Sequence, residues 1–146
     1  AYPEKPRPQG ITAMTYLLDT SIIIDLLRKK GAIAEFIRTH EQDVFTTSAA
    51  CAFELYSGVY RLPKDERAKR SNDVEGVLSS LADVIPFTST IARVAGSLYA
   101  ELSRMGTLID DLDILIAATC LATSATLVTS NTKHFSRISA LPIVTP

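Results

Sequence analysis

The residues with the most chemistry in this chain are carboxylates set against apolar runs. Asp110, Asp111 and Asp113 stand at the head of a long, largely apolar stretch, GTLIDDLDILIAATCLATSATLVTSNTKHF, at residues 106–135. Far upstream, Asp19 closes the apolar run Tyr16-Leu17-Leu18, and Glu54 lies inside the apolar segment AACAFELYSG. Carboxylates grouped at the edge of a core repel one another unless something neutralises them, and a divalent cation is the usual answer. Donors that are all oxygen suit Mg²⁺ or Mn²⁺. Such a cation can activate water and stabilise the charge that develops on a phosphate.

Each acid also has a plainer reading. An Asp before Thr-Ser at a strand end is often a turn or helix-cap residue. Acidic residues favour the first turn of a helix because of its dipole, which accounts for one or two of the three clustered aspartates. Asp113 is therefore expected to face a crevice, Asp110 to cap, and Asp111 to be ambiguous. Glu54 could lie on a solvated face, but a lone carboxylate in an apolar helix is costly to bury. Asn131 alone reads as a turn residue and gains weight only from its company. His40 and His134 lack zinc-type spacing and read as surface or packing residues. No G-x-G-x-x-G, G-x-x-x-x-G-K-[ST] or G-x-S-x-G motif is present, so nucleotide cradles and serine elbows lack support.

The elements that must position these acids follow from periodicity. Residues 16–19 read as a strand, with Thr20 or Ser21 capping a helix to residue 29 that Gly31 ends. Residues 32–39 form a second short helix and 44–47 a strand. Ser48 caps a helix to about residue 60, and Pro63 opens the next, whose first half is highly charged. Residues 83–87 read as a strand. Ile91, Val94, Ala95, Leu98, Tyr99, Leu102 and Met105 mark an amphipathic helix over 89–105. Residues 111–122 are apolar on nearly all sides and predict a central helix. Residues 126–129 form a strand and 143–144 a last edge strand. Strands alternating with helices predict an α/β fold, a central and mainly parallel sheet between helical layers. In such sheets, sites form at the carboxyl ends of the strands, where Asp19, Glu54, Asp113 and Asn131 would meet.

The chain has 146 residues, a formal net charge of −1 and 47% hydrophobic residues, which fits one globular domain. No global basic excess points to nucleic acid, so a phosphate track would need local groups. Arg28, Lys29 and Lys30 form one such group, Lys64, Arg67, Lys69 and Arg70 a second, and Lys133 with Arg137 a third. Cys51 and Cys120 have no CxxC neighbour and read as buried, reduced thiols of a cytoplasmic protein. No apolar run reaches the roughly 18 residues of a membrane span. Residues 1–13, AYPEKPRPQGITA, differ in character from the rest and read as a tag remnant or an N-terminal arm. Residues 14–146 would form the domain.

LLDTSIIIDLL at 17–27, FELYSG at 53–58 and IDDLDILIAATCLATSATLVTSNTKHF at 109–135 together resemble a PIN domain, and specifically the VapC-type toxins of toxin–antitoxin pairs. The resemblance runs from about residue 14 to 146. It implies an α/β/α sandwich and a Mg²⁺- or Mn²⁺-dependent endoribonuclease. It also implies an RNA substrate, homodimers and inhibition by a small antitoxin. Carried over, Asp19, Glu54 and Asp113 match the family's first three acids. The fourth position falls on Asn131, where many relatives have Asp. An amide can coordinate through its oxygen but brings no charge, and Asp111 could compensate. Ser21 and Thr129 match positions that support the site. Two other readings stay open. One is a PIN-like module that binds RNA or protein with little cleavage, and the other is an RNA-processing nuclease that is not a toxin. The apolar residues Ile22, Ile23, Leu26 and Leu27 exceed what one buried face needs, which predicts a surface for self-association or for a partner's helix, the alternative being that they fill a two-sided core.

Overall fold

A computed structural model describes residues 13–146 of the chain. The expected arm or tag remnant therefore lies outside the described residues, apart from Ala13. The elements in order are β1 (Thr15–Leu18), α1 (Thr20–Leu27), α2 (Gly31–Thr39), β2 (Val44–Ser48), α3 (Ala49–Tyr60), α4 (Lys64–Ser80), β3 (Asp83–Ile85), α5 (Ser89–Arg104), α6 (Asp111–Thr123), β4 (Thr126–Val128), α7 (Thr132–Phe135) and β5 (Ile143–Val144). The strands form one five-stranded sheet in the order β3-β2-β1-β4-β5. Every pairing in it is parallel.

The central strand β1 is buried on both faces, so it reads as an unbroken apolar run instead of an alternation. Tyr16 and Leu18 join one core with Ile22, Ile23, Phe36, Leu55 and Val74, contributed by α1 to α4. Leu17 faces the opposite core, with Leu98 and Leu102 of α5 and Ile114 and Ile116 of α6. The sheet is thus sandwiched between two helical layers, as the strand–helix alternation predicts. The helix α6 is buried at Ile114, Ile116, Ala117, Ala118, Thr119 and Cys120, as its all-round apolar sequence requires. The hydroxyl of Thr119 is satisfied one turn back, at the Leu115 carbonyl, 2.7 Å away. Cys51 and Cys120 are both buried free thiols. Among the described residues, no helix is long and apolar enough to cross a membrane.

Three local readings change. The helix α1 ends at Leu27, because Arg28 caps it and Lys29 takes a left-handed φ of 56°. Gly31 consequently opens α2 and does not close α1. The third strand stops at Ile85, since Pro86 has no N–H to extend the ladder. The surplus of apolar residues on α1 is no free surface. Ile22 and Ile23 are core residues, and Leu26 and Leu27 pack partly buried against the same cluster. A short helix wedged between the sheet, α2 and α4 needs more than one apolar face.

Candidate metal centre

Asp19 follows the last residue of β1, and its backbone N–H donates to the Val128 carbonyl at 3.0 Å, locking the end of β1 to β4. It is also the N-cap of α1, its Oδ1 accepting the Thr20 N–H at 2.8 Å. The cap reading of Asp19 is thus realised, at the end of the sheet where the site is expected. The other oxygen, Oδ2, accepts the Thr129 hydroxyl at 2.7 Å and the Ser21 hydroxyl at 3.2 Å. Thr129 in turn accepts the Asn131 N–H at 2.9 Å, which fixes the turn after β4. Asp19 is only 5% exposed. Burial pushes its carboxyl above the ordinary carboxylate range, and the charge of Asp113 adds to the rise. The Thr129 and Ser21 hydroxyls and the Thr20 amide oppose it without cancelling it.

Glu54 lies in the second turn of α3, whose N-cap Ser48 ends β2 and accepts the Cys51 N–H at 3.1 Å. Its Oε1 accepts the Thr20 hydroxyl at 2.7 Å. Partial burial raises the Glu54 carboxyl, as do the charges of Asp19, Asp113 and Asp110, against the Thr20 bond. Among the described residues, no Lys or Arg forms an ion pair with Asp19 or Glu54. Thr20, read from sequence only as a cap, is thus the hydroxyl that ties the first acid's helix to the second acid. Thr20→Val is expected to lower cleavage by about tenfold, the scale of one hydrogen bond to a partly solvated charge. Thr20→Ser should recover most of it, and equal rates for all three proteins would show the hydroxyl to be idle.

Asp113 lies in the first turn of α6, where the helix dipole favours an anion. Asp110 holds the N-cap position as expected, but its side chain makes no cap hydrogen bond. Asp111 is exposed and borders a separate cleft with Phe87 and Tyr99. Asn131 is the N-cap residue of α7. The expectation that His134 is a mere surface or packing residue is corrected. Its Nδ1 stands 3.0 Å from Asp113 Oδ2 and 3.3 Å from Asn131 Nδ2. Ligand atoms of Asp110, Asp113 and His134 all lie within 4.8 Å of one another, close enough for one cation to touch them. Only spacing could have signalled this: His134 follows Asn131 by three residues, which puts both on one face of a helical turn. His40, by contrast, stacks on Phe36 with centroids 4.0 Å apart, in the cluster with Tyr16 and Phe45.

The basic groups do not all reach this crevice. Arg28, Lys29 and Lys30 stand past the far end of α1, about 12 Å along its axis from Asp19, and Lys30 pairs with Asp25 at 3.2 Å. Lys64, Arg67, Lys69 and Arg70 lie in the first half of α4, where Arg67 is tied to the Leu62 carbonyl at 2.9 Å. Lys133 lies on the short α7 with His134, Asn131 being its N-cap, and Arg137 follows its C-cap and donates to the Leu108 carbonyl at 2.8 Å.

Comparison with known proteins places these features in company. A family model described as PIN domain matches residues 16–141. The chain is 32% identical over 130 residues to a protein named Ribonuclease VapC2 from Rickettsia felis, covering 88% of this chain and 95% of that one. It is 34% identical over 123 residues to Ribonuclease VapC19 of Mycobacterium tuberculosis, covering 82% and 90%. Among solved structures, VapBC2 from Rickettsia felis bound to a promoter DNA fragment superposes with a TM-score of 0.83 at 29% identity, over 91% of this chain and 99% of that one.

Proposed function

The chain belongs to the PIN-domain family, and from that premise we propose that it is an endoribonuclease dependent on Mg²⁺ or Mn²⁺, the toxin of a VapBC-type toxin–antitoxin pair. One observation carries the reading. A buried aspartate, Asp19, faces like charges from Glu54 and Asp113 at the carboxyl end of a parallel sheet, and among the described residues no Lys or Arg pairs with any of them, His134 alone standing beside Asp113. A fold does not keep such a cluster for stability, since burial and mutual repulsion both disfavour the charged forms. The donor set fits a hard divalent cation held by Asp19 and Asp113, with Glu54 in direct or water-mediated contact and Asn131 as a neutral oxygen donor. Such a cation, when bound, activates water and neutralises charge building on a phosphate.

The chain's own residues then have definite tasks. Ser21 and Thr129 aim one oxygen of Asp19 while the Thr20 amide holds the other. Glu54, its carboxyl raised and its Oε1 held by Thr20, is poised to accept a proton from the attacking water. Lys133 and Arg137 are the basic residues best placed to receive RNA phosphates leading into the crevice. Cleavage of RNA by the purified chain, with Mn²⁺ added and then removed by EDTA, tests the reading.

The partner is a small antitoxin protein, as in the VapBC complexes to which the fold is similar. Co-expression with the product of an adjacent small gene is expected to suppress cleavage. We propose also that the chain forms a homodimer, though not through α1 as its sequence alone implies. The free apolar surface lies elsewhere, at Phe53, Phe87 and Tyr99, which are 60%, 53% and 47% exposed. Phe53 and Phe87 flank a cleft floored by Ala49, Ala50, Leu112 and Leu115. Knobs and hole thus share one patch, the condition for a two-fold interface in which each copy receives the other. Light scattering should give a dimer for the wild type and a monomer for Phe87→Lys. A wild-type monomer at micromolar concentration would contradict the proposal.

A further inference from the structure

The proposed metal centre has an unusual fourth corner. Where a carboxylate would complete the set, the chain has the neutral amide of Asn131, and beside it the imidazole of His134. The Nδ1 of His134 carries either a proton or a lone pair. With a proton it can donate to Asp113 Oδ2 at 3.0 Å, and with a lone pair it can accept from Asn131 Nδ2 at 3.3 Å, but it cannot do both. A cation would take lone pairs from imidazole and carboxylate together, with the Asn131 amide turned so that its oxygen and not its N–H₂ faces the ion. The spacing is right for this. Two neighbouring ligands at about 2.1 Å from an octahedral ion are about 3.0 Å apart, the separation found between Nδ1 and Oδ2. Asp110, which the helix cap leaves without a side-chain bond, completes the group within 4.8 Å. His134 is held in place by α7, and its side chain is 34% exposed, against 15% for Asp113, so an ion has open access to it.

We infer that His134 supplies a nitrogen donor to the cation proposed at Asp113, with Asp110 within reach of the same ion, and that the site therefore prefers a transition metal, Mn²⁺, to Mg²⁺. The inference rests on the reading of this crevice as a metal site. Its chemistry is general. Imidazole binds first-row transition ions far better than it binds Mg²⁺, which keeps to oxygen donors and retains its waters. The nitrogen compensates in affinity for the charge that Asn131 does not bring, and it does so selectively.

Pulsed electron paramagnetic resonance on the full chain loaded with Mn²⁺ tests this directly. The wild type should show the hyperfine coupling of a directly coordinated ¹⁴N, and His134→Gln should not. In calorimetry, His134→Gln should lower Mn²⁺ affinity by about tenfold or more while leaving Mg²⁺ affinity within about threefold. Equal melting of the two metal-free proteins would show that the variant is folded. Bound Mn²⁺ that disappears in Asp113→Asn but shows no nitrogen coupling in the wild type would overturn the role of His134 and leave the metal centre standing. A wild-type spectrum of fully hydrated, unbound Mn²⁺ would overturn both.

Discussion

Asp19→Asn combined with Asp113→Asn is expected to lower RNA cleavage by at least a thousandfold, about 4 kcal/mol of barrier, without lowering the melting temperature of the metal-free protein. The two halves of this result have one cause. The Asp19 carboxylate sits where charge is disfavoured, by burial and by the charge of Asp113. Removing the charge of both aspartates removes the cation's main anionic contacts, so the site loses the electrostatic stabilisation on which phosphodiester cleavage depends. The folded chain loses a repulsion at the same time. The Asp19 carboxyl is raised above its unfolded value, so the metal-free fold binds a proton there more readily than the unfolded chain does. Its contribution is therefore most favourable in acid and declines as pH rises from the ordinary carboxylate range through the raised value. At neutral pH the asparagine variant avoids this loss, and its advantage over the wild type should shrink as pH falls. The amide can accept the Thr20 N–H as the carboxylate does, and the Ser21 and Thr129 hydroxyls can turn to receive its N–H₂. Mn²⁺ should reverse the order of stability, raising the melting point of the wild type only. Cleavage by the double variant at more than about a hundredth of the wild-type rate would remove these acids from the chemistry.

Chelation should be equally decisive. EDTA is expected to reduce cleavage to the background rate and Mn²⁺ to restore it, with products bearing a 5′-phosphate and a 3′-hydroxyl. Water is then the nucleophile, and the ribose 2′-OH takes no part. The main rival is a metal-free ribonuclease in which two histidines pass the 2′-OH proton and protonate the leaving group, ending in a 2′,3′-cyclic phosphate. The structure provides one histidine for that task. His134 adjoins Asp113, whereas His40 caps α2 and stacks on Phe36. His40 also meets Tyr16, which stacks on Phe45, and these two residues lie near the amino ends of β1 and β2. The acids gather at the opposite, carboxyl ends of those strands. A histidine pair cannot form across the length of the sheet. Mass spectrometry of the fragment ends decides the matter, and a cyclic phosphate formed in the presence of EDTA would sink the hydrolytic mechanism.

How far these conclusions were legible in the sequence depends on which physical signal each residue leaves there. Burial on both faces writes itself into a strand as an unbroken apolar run, so Tyr16-Leu17-Leu18 read as a buried strand, and the Asp that ends it as either a cap or a site residue. The alternation of such runs with helices was enough for a parallel sheet between helical layers. Parallel topology then dictated that Asp19, the helix after β2 bearing Glu54, the head of α6 bearing Asp113 and the turn after β4 would share one end of the sheet. Local dihedral choices were less visible. The left-handed Lys29 ended α1 early, and no residue preference marks Lys for that conformation. Side-chain direction lay wholly outside the sequence. The sequence alone left the spare apolar residues of α1 between a contact surface and a two-sided core, and the packing of α2 and α4 over them decides for the core. Exposure falls instead to Phe53, Phe87 and Tyr99, from three separate segments. His134 shows the limit most clearly. As one of two histidines without metal spacing it was indistinguishable from a packing residue, because the partner that gives it meaning, Asp113, is twenty-one positions away. Periodicity reports which residues are buried together within an element. Only the packing of α6 against α7 decides which polar tips from different elements meet, and here it brings the His134 imidazole to the carboxylates of Asp113 and Asp110.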